Sequence, residues 1–130
     1  MQSGAKVMSI LIVDDHALTR SAVVALLSEA LPDWLLLTAG SGEEAVRQCE
    51  SHEPTMIVMD ISMPGIDGIE ATRRVKRQYP DTLVIMHSVN DLPIYRTEAT
   101  AAGASGFVSK ARTGRDLLPL IKSLLPQTTS

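Results

Sequence analysis

A parallel α/β sheet, five strands alternating with five helices, is the fold this sequence predicts, and three observations predict it. Five short apolar runs recur along the chain: Met8–Val13, Trp34–Thr38, Met56–Met59, Leu83–Met86 and Gly106–Val108. Their starts fall roughly every 25 residues, which is room for one strand and one crossover helix each. The segments between them place apolar residues at helical rather than alternating spacing. Four of the runs end in chemistry (Asp14–Asp15, Asp60, Ser88, Lys110), while the other ends in Ala39–Gly40. Ligands of open α/β sheets bind beyond the carboxyl ends of the strands, so any site belongs at those endings.

The first run, Ile10-Leu11-Ile12-Val13, is apolar throughout, as are Met56–Met59 and Leu83–Met86. Unbroken runs mark strands buried on both faces, the central members of a parallel sheet. After the first run, Leu18, Ala22, Val23, Leu26, Leu27 and Ala30 form one helical stripe, closed by Pro32–Asp33. A second helix is predicted from about Ser41 to Ser51, with Glu44 as capping-box partner of Ser41 and Pro54 preventing continuation. The third starts near Asp67–Gly68 and turns Ile69, Thr72 and Val75 inward before Pro80. The fourth, about Pro93 to Ala102, is the weakest: its apolar face is Ile94 with small alanines, Pro93 suits the first turn and Gly103 the C-cap. The fifth sets Leu117, Leu118, Ile121, Leu124 and Leu125 on one side, with Pro119 tolerable only near its start.

At 130 residues and 45% apolar content the chain is a single domain with one core. The expected division is an extension at 1–7, a domain at 8–125 and a frayed tail or linker start at 126–130. Twelve basic against 15 acidic residues leave a net charge of −3. That describes a mildly acidic, soluble protein without a general draw toward nucleic acid. Cys49 is the lone cysteine, which excludes a disulfide framework, makes a cytoplasmic setting the default and reads as a small buried hydrophobe. No stretch approaches the roughly 20 apolar residues of a membrane span. Arg73-Arg74-Val75-Lys76-Arg77 reads as the solvated face of the third helix, its positive charge near the helix C-terminus.

For a doubly wound sheet of this size the common, flavodoxin-like strand order is 2-1-3-4-5. That order sets strands 1, 3, 4 and 5 side by side and gathers Asp14, Asp15, Asp60, Ser88 and Lys110 into one cleft. Converging carboxylates repel each other unless a cation neutralises them, and oxygen ligands of this kind suit Mg²⁺. One carboxylate then remains to attack phosphorus; Asp60, ending a central strand before the Pro64–Gly65 turn, is the candidate. Lys110 supplies a point cation to the phosphate oxygens, and the Ser88 hydroxyl donates to another. The competing plain roles are an N-cap for one of Asp14 and Asp15, a turn serine at 88 and a core ring for Phe107. His16 reads as a helix-start residue and His87 as a strand-end residue near the site mouth.

Asp14-Asp15-His16 after an apolar strand, Asp60 through Gly68, Ser88 after the fourth strand, and Gly103 through Lys110 together resemble a response-regulator receiver domain. The resemblance spans about Met8 to Leu125. The Asp-Asp-His opening, the Leu31-Pro32-Asp33 turn and the Lys110-Ala111 ending look most like the LuxR/FixJ-type transcription-factor subfamily with a helix-turn-helix output domain. It implies Asp60 as phosphoacceptor, Mg²⁺ held by Asp15, Asp60 and the Ser62 backbone carbonyl with Asp14 assisting through water, and Ser88 and Lys110 as the switch pair. Phe107 matches the family's rotating aromatic. The implied partners are a sensor histidine kinase and a second copy, met through the helix 4/strand 5/helix 5 face or the helix 1/helix 5 face, with no direct contact to nucleic acid or membrane. The activity implied is a switch rather than an enzyme, with slow self-phosphorylation and self-dephosphorylation tuned by Ser62 and Asn90. No helix-turn-helix follows the fifth helix, which points to the N-terminal domain of a longer regulator rather than a stand-alone receiver.

Two departures stand out. Ala111 follows the lysine where many members have proline joined by a cis peptide; a non-proline cis bond costs about 3–4 kcal/mol, so the loop geometry is left open. Phe107 stands where some relatives carry tyrosine. Two other functions compete. A Mg²⁺-dependent phosphatase with an aspartate nucleophile wants an acid/base carboxylate two residues on, where this chain has Ser62. A receiver-like module that binds partners without phosphorylation would not require all the chemical positions to be filled, as they are here.

Overall fold

Each apolar run becomes a strand, in a computed structural model that describes residues 7–125. The strands are β1 (Ser9–Val13), β2 (Leu35–Ala39), β3 (Met56–Asp60), β4 (Leu83–Ser88) and β5 (Gly106–Ser109). The helices are α1 (Ala17–Ala30), α2 (Gly42–His52), α3 (Gly68–Gln78), α4 (Pro93–Ala102) and α5 (Thr113–Leu124), with a 3₁₀ turn at Lys110–Arg112 before α5. The sheet is parallel in the order β2-β1-β3-β4-β5, as expected. All but residue 7 of the expected extension, and the tail at 126–130, lie outside the described residues.

Burial follows position in the sheet. β1 and β3 are buried at every residue and β4 at all but its first, whereas β2 and β5 at the edges each bury a single residue, Ala39 and Val108. Side chains of a strand point to opposite faces in turn, so two apolar layers form. Leu11, Val13, Ile57, Met59, Val84 and Met86 pack under α2, α3 and α4. Ile10, Ile12, Met56, Val58, Ile85 and Val108 pack under α1 and α5, against Val23, Leu27, Leu117 and Ile121. Cys49 is fully buried in the first layer, and its thiol is pushed up to about 11 by that burial, aided by Glu50.

Local signals set most helix ends. Ser41 Oγ accepts from Glu44 N at 3.1 Å, and Asp67 Oδ1 accepts from Glu70 N at 2.8 Å. The capping box is only half formed, because Glu44 Oε1 reaches one residue further back, to Gly40 N. Gly103 closes α4 with φ of 109°, a backbone conformation that favours glycine.

Three expectations need correction. Leu18 is 88% exposed and Ala22 is also exposed, so the α1 stripe narrows to Val23 and Leu27, with Leu26 partly buried against the same layer. Ile94 is 57% exposed; α4 instead turns Tyr95, Ala99 and Ala102 to the core. Pro119 lies midway along α5, not near its start, since the helix begins at Thr113. The Arg73–Arg77 run behaves as expected: Arg73 and Arg74 are exposed and pair with Glu70.

Candidate functional site

Period-two alternation carries the apolar layer beneath α1 and α5 straight into a charged cluster at the carboxyl edge. Ile10 and Ile12 lead to Asp14, Met56 and Val58 to Asp60, Ile85 to His87, and Val108 to Lys110. Ser88 falls on the opposite side, continuing Val84 and Met86 toward α4. The site therefore straddles the lip of the sheet, with its carboxylates and lysine on one side and its serine on the other.

Lys110 Nζ donates to Asp14 Oδ2 at 2.8 Å and stands 3.4 Å from Asp60 Oδ1. Asp14 and Asp60 are 2% and 3% exposed. Burial pushes the Asp14 carboxyl upward, yet its bonds to Lys110 and to the His16 N–H outweigh that and hold it below the usual carboxylate range. Asp60 goes the other way. Burial lifts it to about 6, Asp14 adds repulsion, and Lys110 only partly offsets the two. One carboxylate takes most of the lysine's charge, and its neighbour is left short of a cation.

Asp15 completes the cluster. One ligand atom from each of Asp14, Asp15, His16 and Asp60 falls within 4.8 Å of the others. Asp15 Oδ1 is buried with no hydrogen-bond partner among the described residues; His16 Nδ1 lies 3.2 Å away without hydrogen-bonding geometry. An orphaned carboxylate oxygen and an under-neutralised Asp60 fit a small hard divalent cation such as Mg²⁺, which takes oxygen ligands. His16 itself is the N-cap residue of α1, the helix-start role expected of it.

Ser88 is buried, and its hydroxyl accepts from Asn90 N at 3.1 Å. Phe107 is half-buried on the α4 side, with the Arg96 guanidinium 4.5 Å from its ring centre. Ser62 is exposed, two residues beyond Asp60. The Lys110–Ala111 peptide is trans, there being no cis bond among the described residues.

Sequence reasoning missed two contributors, Arg20 and Thr113. Arg20 donates to the Asp14 carbonyl at 2.6 Å and braces the turn that carries Asp14 and Asp15. Thr113 bonds both the Lys110 carbonyl and His87. His87, expected at the site mouth, is instead 3% exposed, facing α5. Only its polarity in an apolar run could have signalled this. No helix among the described residues is long and apolar enough to cross a membrane.

Comparison with known proteins bears on the family and the fold. The sequence model of the response regulator receiver domain matches residues 10–122. The transcriptional activator protein ExaE of Pseudomonas putida is 39% identical over 119 residues, covering 91% of this chain and 55% of that protein. The chain thus spans about half the length of the curated relatives it matches. A LuxR-family two-component response regulator from Aurantimonas sp. SI85-9A1 superposes with a TM-score of 0.84 at 29% identity, covering 92% of this chain and 85% of that one. The CheX–CheY–BeF3–Mg+2 complex from Borrelia burgdorferi contains a chain that superposes at 0.85, with 25% identity and coverage of 92% and 90%.

Proposed function

The chain belongs to the response regulator receiver domain family, and on that premise we propose which residues operate its phosphorylation switch. Asp60 is the phosphoacceptor. Asp15, Asp60 and the Ser62 carbonyl would hold Mg²⁺, with Asp14 assisting through water; once bound, the ion would neutralise carboxylate charge and screen the incoming phosphoryl group. The observation that carries this reading is the uneven pairing of Lys110. Its ammonium is bonded to Asp14 while Asp60 stays buried and raised, so Asp60 is the less committed of the two buried carboxylates that Lys110 faces.

A sensor histidine kinase presents a phosphorylated imidazole, and an Asp60 oxygen attacks phosphorus along the line of the P–N bond. The P–O bond forms, the P–N bond breaks, and the departing imidazole nitrogen takes a proton from water. Lys110 meets the phosphoryl oxygens from one side. The Ser88 hydroxyl, freed of its contact with Asn90 N, donates from the other, and such a bond exists only in the phosphorylated form. Phe107 follows Ser88 on the same side of the sheet. The face of α4, β5 and α5 then changes, controlling transcription through a DNA-binding domain outside residues 8–125, with pairing of two copies there or through α1 and α5.

The protein is a cytoplasmic switch rather than an enzyme that turns over substrate, with slow self-phosphorylation and self-dephosphorylation at the same site. The phosphatase reading is not favoured, since Ser62 stands where such an enzyme needs an acid. Intact mass after incubation with acetyl phosphate and Mg²⁺ tests the proposal. One phosphoryl group is expected on wild type and none on Asp60→Asn; equal labelling of both, or of neither, refutes the assignment.

A further inference from the structure

His87 is a polar residue where packing calls for an apolar one. It follows Leu83–Met86 on a central strand, lies beside Asp60 in the β3–β4 register, and is 3% exposed under α1 and α5. A buried imidazole costs free energy unless it is hydrogen-bonded. Its bond is to Thr113 Oγ1, 2.7 Å from His87 Nε2. The same hydroxyl donates its single proton to the Lys110 carbonyl at 3.0 Å. With that hydroxyl donating to the carbonyl, Thr113 Oγ1 accepts from His87, which places an imidazole proton on Nε2. Burial, with the Lys110 charge nearby, holds the ring neutral by pushing it down to about 4.

A continuous line of bonds results: His87 Nε2–H to Thr113 Oγ, Thr113 O–H to Lys110 C=O, and Lys110 Nζ to the carboxylates at 2.8 and 3.4 Å. The main chain that carries Lys110 is a three-residue 3₁₀ turn, a short element with poor intrinsic hydrogen-bond geometry. Its other side-chain tether is Ser109 Oγ, which accepts from Ala111 N at a long 3.3 Å. Lys110 reaches the site on a flexible stem, so the ammonium stands only as accurately as the turn beneath it.

We propose that His87 is a positioning residue for phosphoryl transfer: through Thr113 it anchors the turn that carries Lys110 and so sets where the ammonium meets Asp60 and the incoming phosphate. This rests on the reading of Asp60 as phosphoacceptor. It assigns a function to a side chain that touches neither phosphate nor metal.

The test uses His87→Leu, His87→Gln, Thr113→Val and Thr113→Ser, each also in a Lys110→Ala background. Urea denaturation checks that every variant is folded. Labelling by acetyl phosphate with Mg²⁺, followed by intact mass, reads the rate, and nitrogen-detected NMR of the imidazole without Mg²⁺ reads the tautomer. His87→Leu and Thr113→Val are each expected to slow labelling by about threefold to tenfold, the worth of one hydrogen bond expressed as a rate. His87→Gln and Thr113→Ser, which keep the donor and the hydroxyl, recover most of it, and in the Lys110→Ala background none of the changes matters further. Wild type shows its imidazole proton on Nε2 at neutral pH. The inference alone is overturned when wild type labels and His87→Leu keeps pace, when the loss persists undiminished without Lys110, or when the proton sits on Nδ1. Wild type that takes no phosphoryl group overturns the functional reading together with this one.

Discussion

Asp60→Asn is expected to stabilise the fold in the presence of a chelator, although it removes an acid 3.4 Å from a lysine. In the folded protein burial, reinforced by Asp14, lifts the Asp60 carboxyl from its ordinary 3.8 to about 6 despite Lys110. The native state therefore binds more protons than the unfolded chain between those values. The Asp60 contribution to stability is full below about 3.8 and is lost as pH rises through about 6. Roughly two pH units at 1.36 kcal/mol each make the ionised carboxylate about 3 kcal/mol unfavourable at pH 7. Asparagine has similar shape and no charge, so the variant should gain up to that amount at pH 7 and almost nothing at pH 3. Urea denaturation followed through Trp34, the single tryptophan, measures both. Excess Mg²⁺ should stabilise wild type by mass action and narrow the gap, with little effect on the variant. Equal stability at pH 7, or an advantage that survives undiminished at pH 3, would refute the reasoning.

His87 titrates in the opposite sense: held down to about 4 from 6.5, it contributes stability that is full above 6.5 and lost as pH falls through about 4, worth about 3 kcal/mol. With chelator, wild-type stability should thus be nearly flat between pH 4 and 6. Asp60→Asn should then reveal a loss on acidification and His87→Leu a gain; parallel curves for all three contradict the assignment. Gly68→Ala should cost about 3 kcal/mol in urea titration, because the added Cβ runs into the Asp60 carbonyl oxygen, which is backbone and cannot swing aside. A near-neutral result would mean that α3 does not seat on β3 as described. Arg96→Ala should lower stability by about 0.5–1 kcal/mol and shift the ring resonances of Phe107, the single phenylalanine, as the guanidinium leaves its face. Unchanged ring signals would remove Arg96 from any account of Phe107.

Much of the fold is legible because its instructions are local. Runs of four apolar residues such as Met56–Met59 mark the strands buried on both faces, and β3 with its two neighbours, β1 and β4, follows that reading. Asp67 caps α3 and Gly103 ends α4 because an Asx acceptor and a residue free to adopt positive φ act within a few positions of themselves. The polar residues ending the runs were legible for the same reason. Once the strands are parallel, their carboxyl ends share one edge.

Tertiary structure alone decided the rest. Helical periodicity states which residues share a face but not where the sheet beneath it stops, so Leu18 and Ile94 lie in apolar patterns yet face outward. Lys110 and Asp14 are 96 positions apart, and nothing local says that this lysine prefers Asp14 to Asp60. That preference, and the line from His87 through Thr113 to Lys110, depend on strand register and on the shape of one short turn. The amino-acid order by itself determined the strands, their caps and the acidic edge, since those depend on neighbours a few residues away. How one lysine's charge is divided between two buried acids was decided only when distant segments packed, because Coulomb and hydrogen-bond energies depend on ångström distances that no spacing encodes.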